Sequence, residues 1–99
     1  MMQRAAWIFK LKPGKEEEYR GAHSAVWPDL IAATQNAGLR NLSVHMLDST
    51  VVCYAESDDV EAAMKRLAAD PVNLRWNQWM ANLMEDVDGT QLEEVFHFQ

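Results

Sequence analysis

Residues 16–30 read EEEYRGAHSAVWPDL, and the way this stretch divides decides the fold. Glu16, Glu17 and Glu18 fit a first helical turn, where the positive end of the peptide dipole favours acid. Tyr19, Ala22, Val26 and Leu30 then recur at helical spacing, and the apolar stripe runs on to Ala33 and Ala37. Pro28 interrupts it: the ring removes a backbone donor and crowds the carbonyl one turn earlier, which predicts a kink or break near Trp27. The second segment ends at Gly38, a suitable C-terminal stop.

Working outward, RAAWIFKL (residues 4–11) puts Trp7, Phe9 and Leu11 on one face of a strand and Ala6 and Ile8 on the other. Pro13-Gly14 turns the chain into the helix. Residues 41–47 and 51–56 are β-rich runs that flank Asp48-Ser49-Thr50, a hairpin pattern. Val60, Ala63, Met64, Leu67 and Ala68 return to helical spacing, and Asp70-Pro71 supplies a cap and first residue for a further helix. That helix carries Val72, Trp76, Trp79, Met80 and Leu83 on one side. After the acidic turn at residues 85–89, residues 92–98 alternate again and are expected to form strand four.

The order βαββαβ is the α+β, ferredoxin-like arrangement, a four-stranded antiparallel sheet with helices over one face. At 99 residues the chain is one domain, residues 1–99, with one core. The strands are nevertheless apolar on both sides, with Ile8 opposing Trp7 and Phe9, and Val52 and Tyr54 opposing Val51 and Cys53. Helices hide only one side, so the other is expected to meet a second subunit, giving a homodimer with sheets face to face.

Composition narrows the function classes. A net charge of −6, with no run of Lys or Arg, excludes nucleic acid and anionic membrane surfaces as expected partners. No apolar run approaches the roughly 18 residues needed to cross a bilayer. The single cysteine, Cys53, cannot form an internal disulfide, and the N-terminus lacks a signal-peptide layout, so a cytoplasmic location is expected. His45 and His97 make no metal-ligand spacing with His23 or Cys53, so no metal is expected. Glycine-rich phosphate loops and nucleophile elbows are also missing from the sequence.

Tyr19, His23 and Trp27 follow one another at four-residue intervals and share a helical face. From spacing alone packing accounts for them more readily than chemistry does, and the same holds for Trp76, Trp79 and Met80 in RWNQWM (residues 75–80). Asp29 and Glu94 are carboxylates available to act as a base, although a cap and a solvated strand position explain them better.

Taken together, these segments resemble the L-rhamnose mutarotase family along nearly the whole chain. The residues that carry the likeness are Glu17-Glu18-Tyr19, His23, Val26-Trp27-Pro28-Asp29-Leu30, Gly38, Asn41, Arg75-Trp76, Met80 and Leu92-Glu93-Glu94-Val95-Phe96. The resemblance implies a dimeric α/β barrel and an isomerase that interconverts the pyranose anomers of L-rhamnose without a cofactor. It implies His23 as the proton donor, Tyr19 as a sugar contact and Trp76 as part of the site lining. Two positions depart from the pattern: Leu42 stands where the family has tyrosine, and Asn77 where it has the second of two tryptophans. The resemblance implies that both are substrate-binding positions, so L-fucose, another 6-deoxy hexose, stands beside L-rhamnose as the sugar.

An imidazole with an ordinary pKa of about 6.5 suits a reaction that is proton traffic only. Two other readings share the fold: a haem-degrading or antibiotic-biosynthesis monooxygenase, and a non-catalytic dimer that binds a small ligand. The spacing of His23 from Trp27-Pro28 and the terminal LEEVF favour the mutarotase.

Overall fold

The computed structural model describes residues 2–99. Strand β1 (Gln3–Lys10) leads into helices α1 (Glu16–Ser24) and α2 (Pro28–Ala37), then strands β2 (Arg40–Leu47) and β3 (Thr50–Ser57). Helices α3 (Val60–Ala68) and α4 (Pro71–Met80) follow, and β4 (Thr90–Gln91) closes the sheet. The antiparallel sheet has the order β2-β3-β1-β4, which is the ferredoxin-like topology expected.

The break at Pro28 is real. Trp27 is extended, at φ −57° and ψ 129°, as a residue before proline must be, and Pro28 opens α2. At the far end Gly38 takes φ +104°, a left-handed conformation that side chains with a Cβ resist. Its N–H bonds to Gln35 O, and the next N–H, that of Leu39, reaches Thr34 O. The Arg66 guanidinium from α3 donates twice to the Ala37 carbonyl, at 2.9 and 2.7 Å, so the helix end is satisfied by a second element. Asp70 caps α4 by accepting from Val72 N–H, and Asp59, which the pattern alone does not single out, caps α3 by accepting from Ala62 N–H. Each such cap contributes about 1 kcal/mol.

Sheet register fixes which side chains face the helices. Trp7 opposes Cys53, Phe9 opposes Val51, and across the next ladder Cys53 opposes Val44. These positions point under the helices, whereas Ile8, Val52 and His45 sit on the other face. The main core gathers Leu11, Tyr19, Leu30, Val51, Met80 and Leu83 between sheet and helices. A smaller cluster of Leu39, Ala55 and Ala63 lies beneath α3.

One expectation fails. Residues 92–98 do not form strand four: the strand is Thr90–Gln91, paired with Ile8 and Trp7, and the chain beyond has no regular structure. A backbone bond from Leu92 N–H to Ala6 O and the ion pair of Arg4 with Glu94 keep the segment beside β1 for a few residues. Because β1 begins at Gln3, continuing that register leaves residues after Val95 with no strand to pair with. Val95, Phe96 and Phe98 are 86%, 81% and 77% exposed despite their alternating pattern.

Candidate active site

Helices α1, α2 and α4 and the inner face of β1–β3 enclose a cavity of about 830 Å³. All five expected site residues, His23, Tyr19, Trp76, Leu42 and Asn77, line it. Asp29 and Glu94 do not: Asp29 is exposed on the first turn of α2, and Glu94 is held in its ion pair with Arg4. Neither carboxylate is placed to act as the base.

His23 and Tyr19 lie one turn apart on α1, with ring centroids 4.2 Å apart. The Nδ1 of His23 is 3.0 Å from the Tyr19 carbonyl oxygen. A carbonyl only accepts, so Nδ1 carries the proton and the neutral ring leaves Nε2 with a free lone pair. Burial lowers the His23 pKa below its ordinary value, opposed in part by this same bond, so the neutral ring is favoured. At rest, therefore, Nε2 is a proton acceptor, and it donates only after it has first taken a proton.

The Tyr19 phenol is pushed up to about 12, mainly by burial and also by the neighbouring Cys53, so it keeps its proton and remains a donor. Cys53 itself rises to about 11 through burial. Its thiol lines the cavity as a neutral group and is no nucleophile at neutral pH.

Behind His23 stands a tryptophan cluster. Trp76 meets the His23 ring edge-on at 5.3 Å and Trp27 edge-on at 5.0 Å, while Trp27 stacks on Trp79 at 6.0 Å. The Trp79 indole donates to a Glu18 carboxylate oxygen at 3.2 Å, tying α4 to α1. Trp76 is only 7% exposed. The indole is a core residue that also packs against His23 and gives part of its surface to the cavity.

Leu42 stands two residues before Val44 and shares its face of β2. The β2–β3 register shifts between Arg40 and Ser43, and Asn41 takes φ +51°, its amide donating to Glu56 at 2.6 Å. Leu42 and Val44 both line the cavity wall. Sequence reasoning overlooked Phe9, Val44, Cys53 and Asn73, which also line the site. For Asn73 a signal existed, since it stands four residues before Asn77 on the same helical face.

Comparison with known proteins places these features in context. A family model described as L-rhamnose mutarotase matches residues 4–98. A protein of Sinorhizobium fredii named L-rhamnose mutarotase is 32% identical over 102 residues, covering 97% of this chain and 98% of the relative. One of Burkholderia orbicola with the same name is 34% identical, covering 99% of this chain and all of the relative. Among solved structures, an L-rhamnose mutarotase from Formosa agariphila superposes with a TM-score of 0.82 at 23% identity, over 98% of this chain and 99% of that one. The tetracenomycin F2 cyclase of Streptomyces glaucescens (TM-score 0.70, 17% identity) covers 98% of this chain and 97% of its own. A Bordetella bronchiseptica protein described as a putative antibiotic biosynthesis monooxygenase (0.71, 12%) covers 96% and 98% respectively. At these identities, the solved structures speak for the fold alone.

Proposed function

The chain belongs to the L-rhamnose mutarotase family, and from that premise we propose that it interconverts the α and β anomers of L-rhamnose by opening and closing the pyranose ring. The observation that carries the reading is His23, its Nδ1 engaged by the Tyr19 carbonyl, on the wall of a cavity that Tyr19 and Trp76 share. Nε2 takes the proton of the anomeric hydroxyl; the electron pair of that O–H bond becomes the carbonyl π bond as the C1–O5 pair retreats to O5. O1 and O5 are both bonded to C1, so the imidazolium that results can hand the same proton to O5. Half a turn about C1–C2 then presents the other carbonyl face, and the steps reverse. Positioned acid–base groups contribute about a hundred- to ten-thousand-fold in rate, which suffices for a reaction that already runs in water.

Tyr19, protonated at any working pH, holds a sugar hydroxyl beside His23. Trp76 braces the imidazole and, with Leu42, offers apolar surface to the C–H face and C6 methyl of a deoxy sugar. The test is saturation transfer between the anomeric protons of L-rhamnose and of L-fucose. Wild type should accelerate exchange of L-rhamnose; His23→Ala should lose the acceleration, and Tyr19→Phe should lose part of it. Full activity in His23→Ala would remove the proton carrier.

We extend the proposal to a homodimer in the cytoplasm, where a reduced Cys53 is the ordinary state. The outer sheet face presents Ala6, Ile8, Val52 and Tyr54, none covered by a helix. Beside it runs the apolar tail with Val95, Phe96 and Phe98. Burying one such side chain is worth about 1.5–3 kcal/mol, so an exposed face and tail of this kind favour a second copy packed sheet to sheet. A monomer in sedimentation equilibrium at micromolar concentration would contradict the dimer while leaving the single-chain site untouched.

A further inference from the structure

Helix α4 gives the cavity Asn73, Trp76, Asn77 and Met80, a spacing that sets the two asparagines one turn apart on the same face. Trp76 and Met80 are core residues, whereas Asn73 and Asn77 are half-buried. Three other polar groups of the lining are engaged within the protein. The Thr34 hydroxyl donates to the Leu30 carbonyl at 2.8 Å, the Asn41 amide to Glu56, and His23 Nδ1 to the Tyr19 carbonyl. Among the described residues neither the Asn73 nor the Asn77 side chain has a hydrogen-bond partner in the protein, although α4 is otherwise bonded at its cap, at Trp79 and at Gln78. Each amide offers two donors and an acceptor to whatever fills the cavity. Their neighbours include Leu39, Leu42, Val44 and Leu67, so a ligand that displaced water without replacing its hydrogen bonds would be penalised.

Resting on the mutarotase reading, we infer that Asn73 and Asn77 form an amide pair that grips the C3 and C4 hydroxyls of the sugar, and that Asn73 is a specificity-determining residue. His23 works at O5 and C1, and in a pyranose ring the bond opposite O5–C1 is C3–C4. Trp76, which touches His23, immediately precedes Asn77, and both asparagines line the same cavity as the imidazole. Residues four apart on a helix are separated by about 6 Å along the axis. That span lets two amides, each about 3 Å from its acceptor, serve neighbouring hydroxyls. An aromatic side chain at position 77 would supply stacking surface and at most one donor; the amide exchanges this for recognition of hydroxyl position.

The test is kcat/KM for L-rhamnose and its 3-deoxy and 4-deoxy analogues, by anomeric saturation transfer, in wild type, Asn73→Leu and Asn77→Leu. Leucine keeps the volume and the helix but cannot hydrogen bond. In wild type, at least one deoxy analogue should be about tenfold poorer than L-rhamnose. In the leucine variants L-rhamnose itself should lose about three- to tenfold, mainly through KM, and the penalty for that analogue should shrink to less than about twofold. Asn73→Ala and Asn77→Ala repeat the comparison should a leucine variant fold poorly. Deoxy penalties that are the same in wild type and variants, or no penalty in wild type, overturn the amide pair alone. Absence of any acceleration by wild type overturns it together with the mutarotase reading.

Discussion

Gly89→Ala should unfold far more readily than the wild type, because two separate costs meet at this position. The residue has φ +63°, where a Cβ costs about 1–2 kcal/mol. A Cβ built there would lie 2.5 and 2.6 Å from Cε2 and Cδ2 of Phe9 and 2.8 Å from the Ile8 carbonyl oxygen. The phenyl ring can swing aside, but the carbonyl belongs to the strand that pairs with Thr90, and overpacking of this kind costs about 1–3 kcal/mol. The sum is about 3 kcal/mol, which lowers the midpoint by roughly 12–24 °C for a domain of this size. Phe9 also lines the cavity, so a swung ring should raise KM for the sugar as well. Thermal unfolding followed by circular dichroism reads the first effect and anomeric exchange the second. Gly14→Ala is the control, since Gly14 has φ +80° with nothing within 4 Å of the added carbon; it should bear the conformational cost alone. A Gly89→Ala midpoint equal to that of Gly14→Ala would refute the contact argument.

His23 is held below its ordinary pKa by burial, and catalysis needs the neutral ring, so kcat/KM should be level above pH 6.5 and fall at lower pH, with a midpoint under 6.5. A midpoint above 7 would contradict a desolvated imidazole. Leu83→Ala, at a side chain with no exposed surface, should cost about 2–5 kcal/mol in chemical denaturation. Leu42→Tyr with Asn77→Trp should shift the preference between L-rhamnose and L-fucose toward L-rhamnose, read as the ratio of their exchange rates.

Most of the architecture was legible because its signals are local. Pro28 breaks a helix wherever it falls in one, Asp70-Pro71 starts one, and Gly38 ends one, each through its own backbone chemistry. The C-terminal segment misled because alternation reports only that two faces differ; it cannot say whether a strand is present to pair with, and β1 offers no partner to residues beyond Val95. His23, Tyr19 and Trp76 could be placed on helix faces by spacing and given roles by resemblance. The direction of the lone pair was not legible, since it depends on a 3.0 Å contact with a backbone carbonyl. The register shift between Arg40 and Ser43 is one that no residue type announces. Cys53 and Val44 were hidden by the sheet itself, which brings together residues distant in the chain.

The alternation of the sheet couples two properties that could have been independent. Phe9, Cys53 and Val44 wall the cavity, while Ile8, Val52 and His45, one residue removed along the same strands, form the outward surface. One residue inserted in the connection between β2 and β3 would exchange these sets along a whole strand. Evolution can therefore retune sugar choice or self-association by swapping single side chains here, but it cannot lengthen or shorten the hairpin without disturbing both at once.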